Sequence, residues 1–185
     1  MASNMALGTR FFAGFGATLF LVTSSAITIA AIITLSSGNK NNVVPSLNTT
    51  ANSNSCPSGY SVADGSKLQG YTPQTQPVPH LEVGDVQKGT GAVVASGATV
   101  AACYVGALAD NGSVFDTSGA HAHGGPLTFS LSSVIEGWKL GIPGMKIGGT
   151  RELLIPAVMA YGAQKNGSIP ANSDLVFYVS VLSVK

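Results

Sequence analysis

The chain has 185 residues, a formal net charge of +1 and only 9% charged residues. That charge excludes a nucleic-acid-binding protein built on a basic face, and there is no acidic tail. Its 23 glycines point to many tight turns, hence to a β-rich domain rather than a helical bundle.

Residues 1–10 form a short N-terminal tail. No charge occurs from residue 11 to residue 39, and residues 11–35 are almost continuously apolar. A helix of about 25 residues at about 1.5 Å each spans about 37 Å, enough to cross a hydrocarbon core of about 30 Å with some tilt. Two readings stand. One is a retained single-pass membrane helix, or uncleaved signal anchor, with the C-terminal domain extracytoplasmic. The other is a cleaved signal peptide and a secreted domain. Cleavage after the small residues near Ser24 and Ala26 would leave the apolar stretch from Ile27 to Leu35 at a new N-terminus, which favours the anchor. The flanking Arg10 and Lys40 do not orient it.

Residues 36–79 read as a flexible linker followed by an extended arm. The first part is Ser, Asn, Thr and Gly and cannot bury a core. Further on, Tyr60, Leu68 and Tyr71 are spaced among turn residues, and Pro73, Pro77 and Pro79 stiffen the end. The two cysteines, Cys56 and Cys103, either bridge the arm to the domain or remain as a surface thiol and a buried one.

From about residue 80 the pattern becomes regular. Residues 99–108 have strand composition, the Asp110-Asn111-Gly112 turn leads into a second strand at 113–116, and residues 127–131 alternate apolar and polar. Ser132 or Ser133 is the expected N-cap of a short helix that contains Val134, Ile135, Trp138 and Leu140. Residues 150–155 and 175–184 supply two further strands. The expected fold is α+β, a mostly antiparallel sheet around one short helix, in a domain at 80–185 without internal repeats.

No nucleophile motif, paired carboxylates, phosphate loop or CxxC occurs. Aromatic and aliphatic residues instead fall at strand ends and in loops, enough to line an apolar pocket. His121 and His123 lie on one side of an extended loop, but they lack Cys or carboxylate partners and read as solvated rather than as metal ligands.

The motifs VIEGW at 134–138, GMKIGG at 144–149, AYG at 160–162, IP at 169–170 and LVF at 175–177, with YVG at 104–106 and VFD at 114–116 upstream, resemble those of the FKBP-type peptidyl-prolyl cis-trans isomerases in order and spacing. The likeness covers roughly residues 81–185. It implies a curled five- to six-stranded antiparallel sheet wrapped around one short helix. It also implies a site in which Tyr104, Phe115, Asp116, Trp138 and Tyr161 carry catalysis. Trp138 would floor the pocket, Tyr161 would offer its hydroxyl to a substrate carbonyl, and Asp116 would bond to a neighbour such as Tyr104. Leu127, Phe129, Val134, Ile135, Ile169 and Phe177 would bind substrate, with the Ile135 N–H as a second donor.

By the same resemblance the chain is expected to rotate X-Pro bonds without metal or cofactor and to bind macrolide inhibitors; it is expected to be a monomer, and the apolar run at 11–35 makes exported or surface polypeptides its expected substrates. Leu127 stands where the family commonly has an aromatic residue, and the loop at 117–125 lacks the basic residue often found there. The rival functions are a non-catalytic module that holds proline-containing segments and a chaperone with an inserted flap. The connections at 114–129 and 161–169 are too short to hold such a flap.

Overall fold

The computed structural model describes residues 55–60, 62–121 and 124–185. The expected tail at 1–10, the apolar span at 11–35 and the linker to residue 54 lie outside them. Among the described residues no helix is long and apolar enough to cross a membrane.

The chain runs through β1 (Glu82–Gln87), β2 (Thr99–Leu108), β3 (Val114–Thr117), β4 (Leu127–Ser130), α1 (Glu136–Gly141), β5 (Thr150–Ile155) and β6 (Leu175–Val184). All pairings are antiparallel, and the order across the sheet is β1-β5-β6-β2-β3. β4 shares the outer edge of β2 with β3, β4 pairing with Thr99 to Ala102 and β3 with Val105 to Ala107. At the Asp110-Asn111-Gly112 turn, Gly112 takes φ 68°, a left-handed value that glycine adopts without a steric cost.

Successive side chains of a strand point to opposite faces, and here both faces are covered. Toward α1, Ala102, Tyr104, Leu153, Ile155, Phe177, Val179 and Val181 pack with Trp138 and Ile142. On the other face, Cys103, Val105, Ala107, Leu154 and Val176 pack with Tyr60, Leu68 and Val78 from the arm. This double burial is why the sequence of β2 reads as an almost unbroken apolar run.

The arm is a structural part of the domain rather than a spacer. Backbone bonds of 2.8 Å join Gly65 N to Val114 O, Leu68 N to Gly112 O and Gln74 N to Ala109 O. The Tyr60 hydroxyl lies 2.5 Å from Ser180 Oγ, which lies 2.5 Å from Thr150 Oγ1. Cys56 and Cys103 are joined in a disulfide with a Cα–Cα distance of 5.6 Å. The Asp174 carboxylate accepts from Val78 N at 2.7 Å and from Ala157 N at 2.8 Å, fastening the arm's end to the loop after β5. The arm, from Cys56 to Pro79, thus packs along the domain that follows it.

The helix begins later than the serines suggest. Ser133 N bonds back to Ser130 O at 2.9 Å in a turn. Ile135 is the N-cap residue and makes no side-chain cap. Its carbonyl accepts from Trp138 N at 3.0 Å. Val134 and Ile135 are held against the core, which keeps them out of the helical turn. A six-residue helix has little stability of its own, so tertiary contacts hold it. A Cβ on Gly137 would lie 2.5 Å from Ile155, and one on Gly141 would lie 2.6 Å from Leu153. At its C-terminus the Arg151 guanidinium, held by Asp85 Oδ1 at 2.7 Å, donates to Gly141 O at 2.7 Å.

The disulfide joins residues 47 apart. Removing a cross-link around a loop of that size costs about 4 kcal/mol in the chain-entropy picture. The Cys56→Ser/Cys103→Ser variant should lose stability by that order in urea unfolding, and added reductant should reproduce the loss in the native chain.

Candidate functional site

Among the described residues the apolar cores leave an aromatic concavity, of about 360 Å³, at the mouth of the sheet beside α1. It is lined by Tyr104 of β2, Phe115 and Asp116 of β3, Phe129 of β4, Phe177 of β6 and Trp138 of α1. Ser133, Val134 and Ile135 before the helix and Tyr161 after β5 complete it. Another hollow, of about 290 Å³ beside Asp85, Lys88 and Lys146, has no aromatic ring in its lining.

The rings brace one another. Trp138 meets Tyr104, Phe129 and Phe177 edge-on, at centroid separations of 5.4, 5.4 and 5.3 Å, and Phe115 meets Phe177 at 5.5 Å. Such T-shaped pairs add to the stabilisation from burial alone. Gly106 makes room for them, since a Cβ there would lie 2.6 Å from the Phe177 ring and 2.8 Å from Phe115. Trp138 is 4% exposed, and its indole N–H is buried without a hydrogen-bond partner among the described residues.

Polar groups gather on one side of the rim. The Tyr104 hydroxyl donates to Asp116 Oδ2 at 2.6 Å. His121 Nε2 lies 3.2 Å from Asp116 Oδ1 and 3.3 Å from the Tyr104 oxygen. Loss of water pushes the Tyr104 phenol well above its ordinary value, and the bond to Asp116 raises it further. Tyr161 stands over the rim, 37% exposed; partial burial and the Asp116 charge raise its phenol too. The next residue, Gly162, donates to Ala157 O at 2.8 Å and accepts from Asn172 N at 2.8 Å, which fixes the loop that presents the tyrosine.

Of the residues expected at the site, two lie elsewhere. Ile169 is 5% exposed within the core, pinned by paired backbone bonds with Asn166 of 2.9 and 3.0 Å. Leu127 is half-buried at the start of β4, and it is Phe129, two residues on and on the same face, that reaches the cavity. Two rim residues were not expected there. Ser133 follows from the late start of the helix. His121, exposed on the loop after β3, reaches the rim through Asp116 and Tyr104, which become neighbours only when β2 and β3 pair.

Residues 91–182 match the sequence model of the family described as FKBP-type peptidyl-prolyl cis-trans isomerase. FK506-binding protein 4 of Emericella nidulans is 44% identical over 105 residues, covering 56% of this chain and 21% of that protein. FK506-binding protein 3 of Yarrowia lipolytica is 41% identical over 128 residues, covering 63% of this chain and 30% of that protein. Among solved structures, FkpA from Escherichia coli is 42% identical with a TM-score of 0.52, over 57% of this chain and 48% of that one. AtFKBP13 is 37% identical with a TM-score of 0.51, over 57% of this chain and 93% of that one. This chain belongs to the FKBP-type peptidyl-prolyl cis-trans isomerase family. It spans about a fifth of the length of curated relatives such as the Emericella protein.

All five tyrosines of the chain have phenols raised above the ordinary value of 10.0, Tyr71 to about 12. The neutral form is thus favoured in the folded state. Below pH about 10 both states keep their protons and stability is full; above it the unfolded chain ionises first, so stability falls as pH rises. In an alkaline titration the phenolate absorbance should rise together with loss of near-ultraviolet circular dichroism. Ionisation of the phenols at their ordinary value with the fold intact would contradict the buried Tyr104 and Tyr60.

Proposed function

We propose that the cavity takes a prolyl ring against Trp138 and accelerates rotation of the preceding peptide bond, making the chain a peptidyl-prolyl cis-trans isomerase. The observation that carries this reading is the cavity itself: a ring-lined, largely apolar hollow in which, among the described residues, Asp116 is the one charged lining residue.

The reaction breaks no bond. It crosses a torsional barrier of about 18–20 kcal/mol that arises from amide resonance. Resonance places negative charge on the carbonyl oxygen, and twisting the bond withdraws that charge. An apolar hollow therefore disfavours the planar amide more than the twisted one, relative to water. An acceleration of about 10⁵-fold requires about 7 kcal/mol of such differential stabilisation. In this reading the Tyr161 hydroxyl and the Ile135 N–H bond the substrate carbonyls, and Asp116 holds Tyr104 in the wall. Phe115, Phe129, Val134 and Phe177 confine the ring. FK506, for whose binding the relatives are named, would compete for the same hollow.

The reading extends to place. The disulfide supports an oxidising compartment, and the uncharged apolar run at 11–35 supports a tether to a membrane. The clients would then be exported or surface polypeptides.

The full chain should accelerate cis-to-trans isomerisation of an Xaa-Pro peptide saturably, and FK506 should inhibit it. Trp138→Leu is expected to lower kcat/KM at least about 10-fold, and Tyr161→Phe about 3- to 10-fold, about 0.7–1.4 kcal/mol for one hydrogen bond. Peptide binding without acceleration would leave a module that only holds proline-containing segments. In intact cells, the domain should be cleaved by externally added protease while remaining with the membrane fraction; protection from the protease would sink the extracytoplasmic placement.

A further inference from the structure

The cavity rim holds a titratable pair beyond what isomerisation itself requires. Asp116 gives one carboxylate oxygen to the Tyr104 hydroxyl at 2.6 Å and turns the other toward His121 Nε2 at 3.2 Å. The side chains of His121 and Asp116 are 46% and 42% exposed, so both meet solvent and any peptide that crosses the rim. No lysine or arginine occurs between residues 114 and 138. On the other elements around the cavity, Lys139 is paired with Glu136 at 3.4 Å, Lys165 is exposed on the loop after Tyr161, and the Tyr104 and Tyr161 phenols are raised and neutral near pH 7. Among the described residues, the charge at this part of the rim is therefore set by Asp116 and by the protonation of His121.

We propose that His121 acts as a specificity-determining residue, switching the rim between a bare carboxylate and a neutralised ion pair and so selecting the charge of the residue that flanks the substrate proline. The inference rests on the reading of the cavity as a prolyl-peptide site. Histidine is the side chain whose charge changes between about pH 5 and 8. With His121 neutral, the Asp116 charge is uncompensated, attracting a flanking Lys or Arg and repelling a flanking Glu or Asp. With His121 protonated, the two charges cancel and the preference is lost. His121 acts through Asp116 and is not itself a catalytic residue.

The test uses the full chain and three peptides that differ only in having Lys, Glu or Leu before proline, assayed at about pH 5.5 and about pH 8. In the native chain the Lys-to-Glu ratio of kcat/KM should fall about 3- to 5-fold on acidification, the size of one exposed charge interaction. His121→Asn should hold the ratio high at both pH values, and His121→Arg should hold it low at both. His123→Asn and His80→Asn, which leave the pair in place, should behave as the native chain does. A ratio independent of pH in the native chain, or an unchanged shift in His121→Asn, overturns the proposal. Quenching of the fluorescence of Trp138, the only tryptophan, reads peptide binding in parallel. The same shift in binding with no turnover would keep the charge selection and remove the isomerase reading instead.

Discussion

A strand buried on both faces must be matched by apolar packing above and below, and β2 is the strand on which this domain is assembled. Val100, Ala102 and Tyr104 face α1, with Tyr104 lining the cavity, while Cys103, Val105 and Ala107 face the arm. Tyr104 lines the cavity while Cys103, its neighbour, is bonded to Cys56 on the opposite side. Ser118 links the two sides: its Oγ accepts from Tyr104 N at 3.0 Å and lies 3.3 Å from Cys56 Sγ. The position of the site wall thus depends on a contact with the arm, which lies outside the segment matched by the family.

The cavity owes its shape to glycines as much as to rings. Gly106 lets Phe115 and Phe177 meet across β2, and Gly137 and Gly141 let α1 sit close to Ile155 and Leu153. Closer approach buries more area per residue, and the edge-on rings then lock one another. A preformed hollow of this kind costs little ordering entropy when a peptide binds.

Much of this was legible in the sequence because it lies in local pattern. The run at β2, the Asp-Asn-Gly turn and the alternation at β4 each act within a few residues, and the ordered family motifs identified most of the lining residues. What was not legible depends on distant pairing. β1 carries Glu82, Gly84 and Asp85, is mostly exposed and pairs only with β5, so its composition does not read as a strand. The helix start was misplaced because packing of Val134 and Ile135 overrides the capping tendency of the serines. Ile169 and Leu127 are apolar like the true lining residues, and which apolar side chain faces a cavity rather than the core is a property of the assembled sheet.

His121 shows the same limit at the scale of one interaction. In the sequence it is a histidine in a glycine-rich loop, five residues from Asp116 and seventeen from Tyr104. The short 3-10 turn at Ser118–Ala120, opened by the Thr117 side chain accepting from Gly119 N, folds that loop back onto β3. Thr117 Oγ1 also donates to the Tyr60 carbonyl, so the turn is anchored to the arm. Packing on the far face of the sheet therefore supports the turn that brings His121 to Asp116. The charge on the rim, like the wall beneath it, depends on how the arm is held.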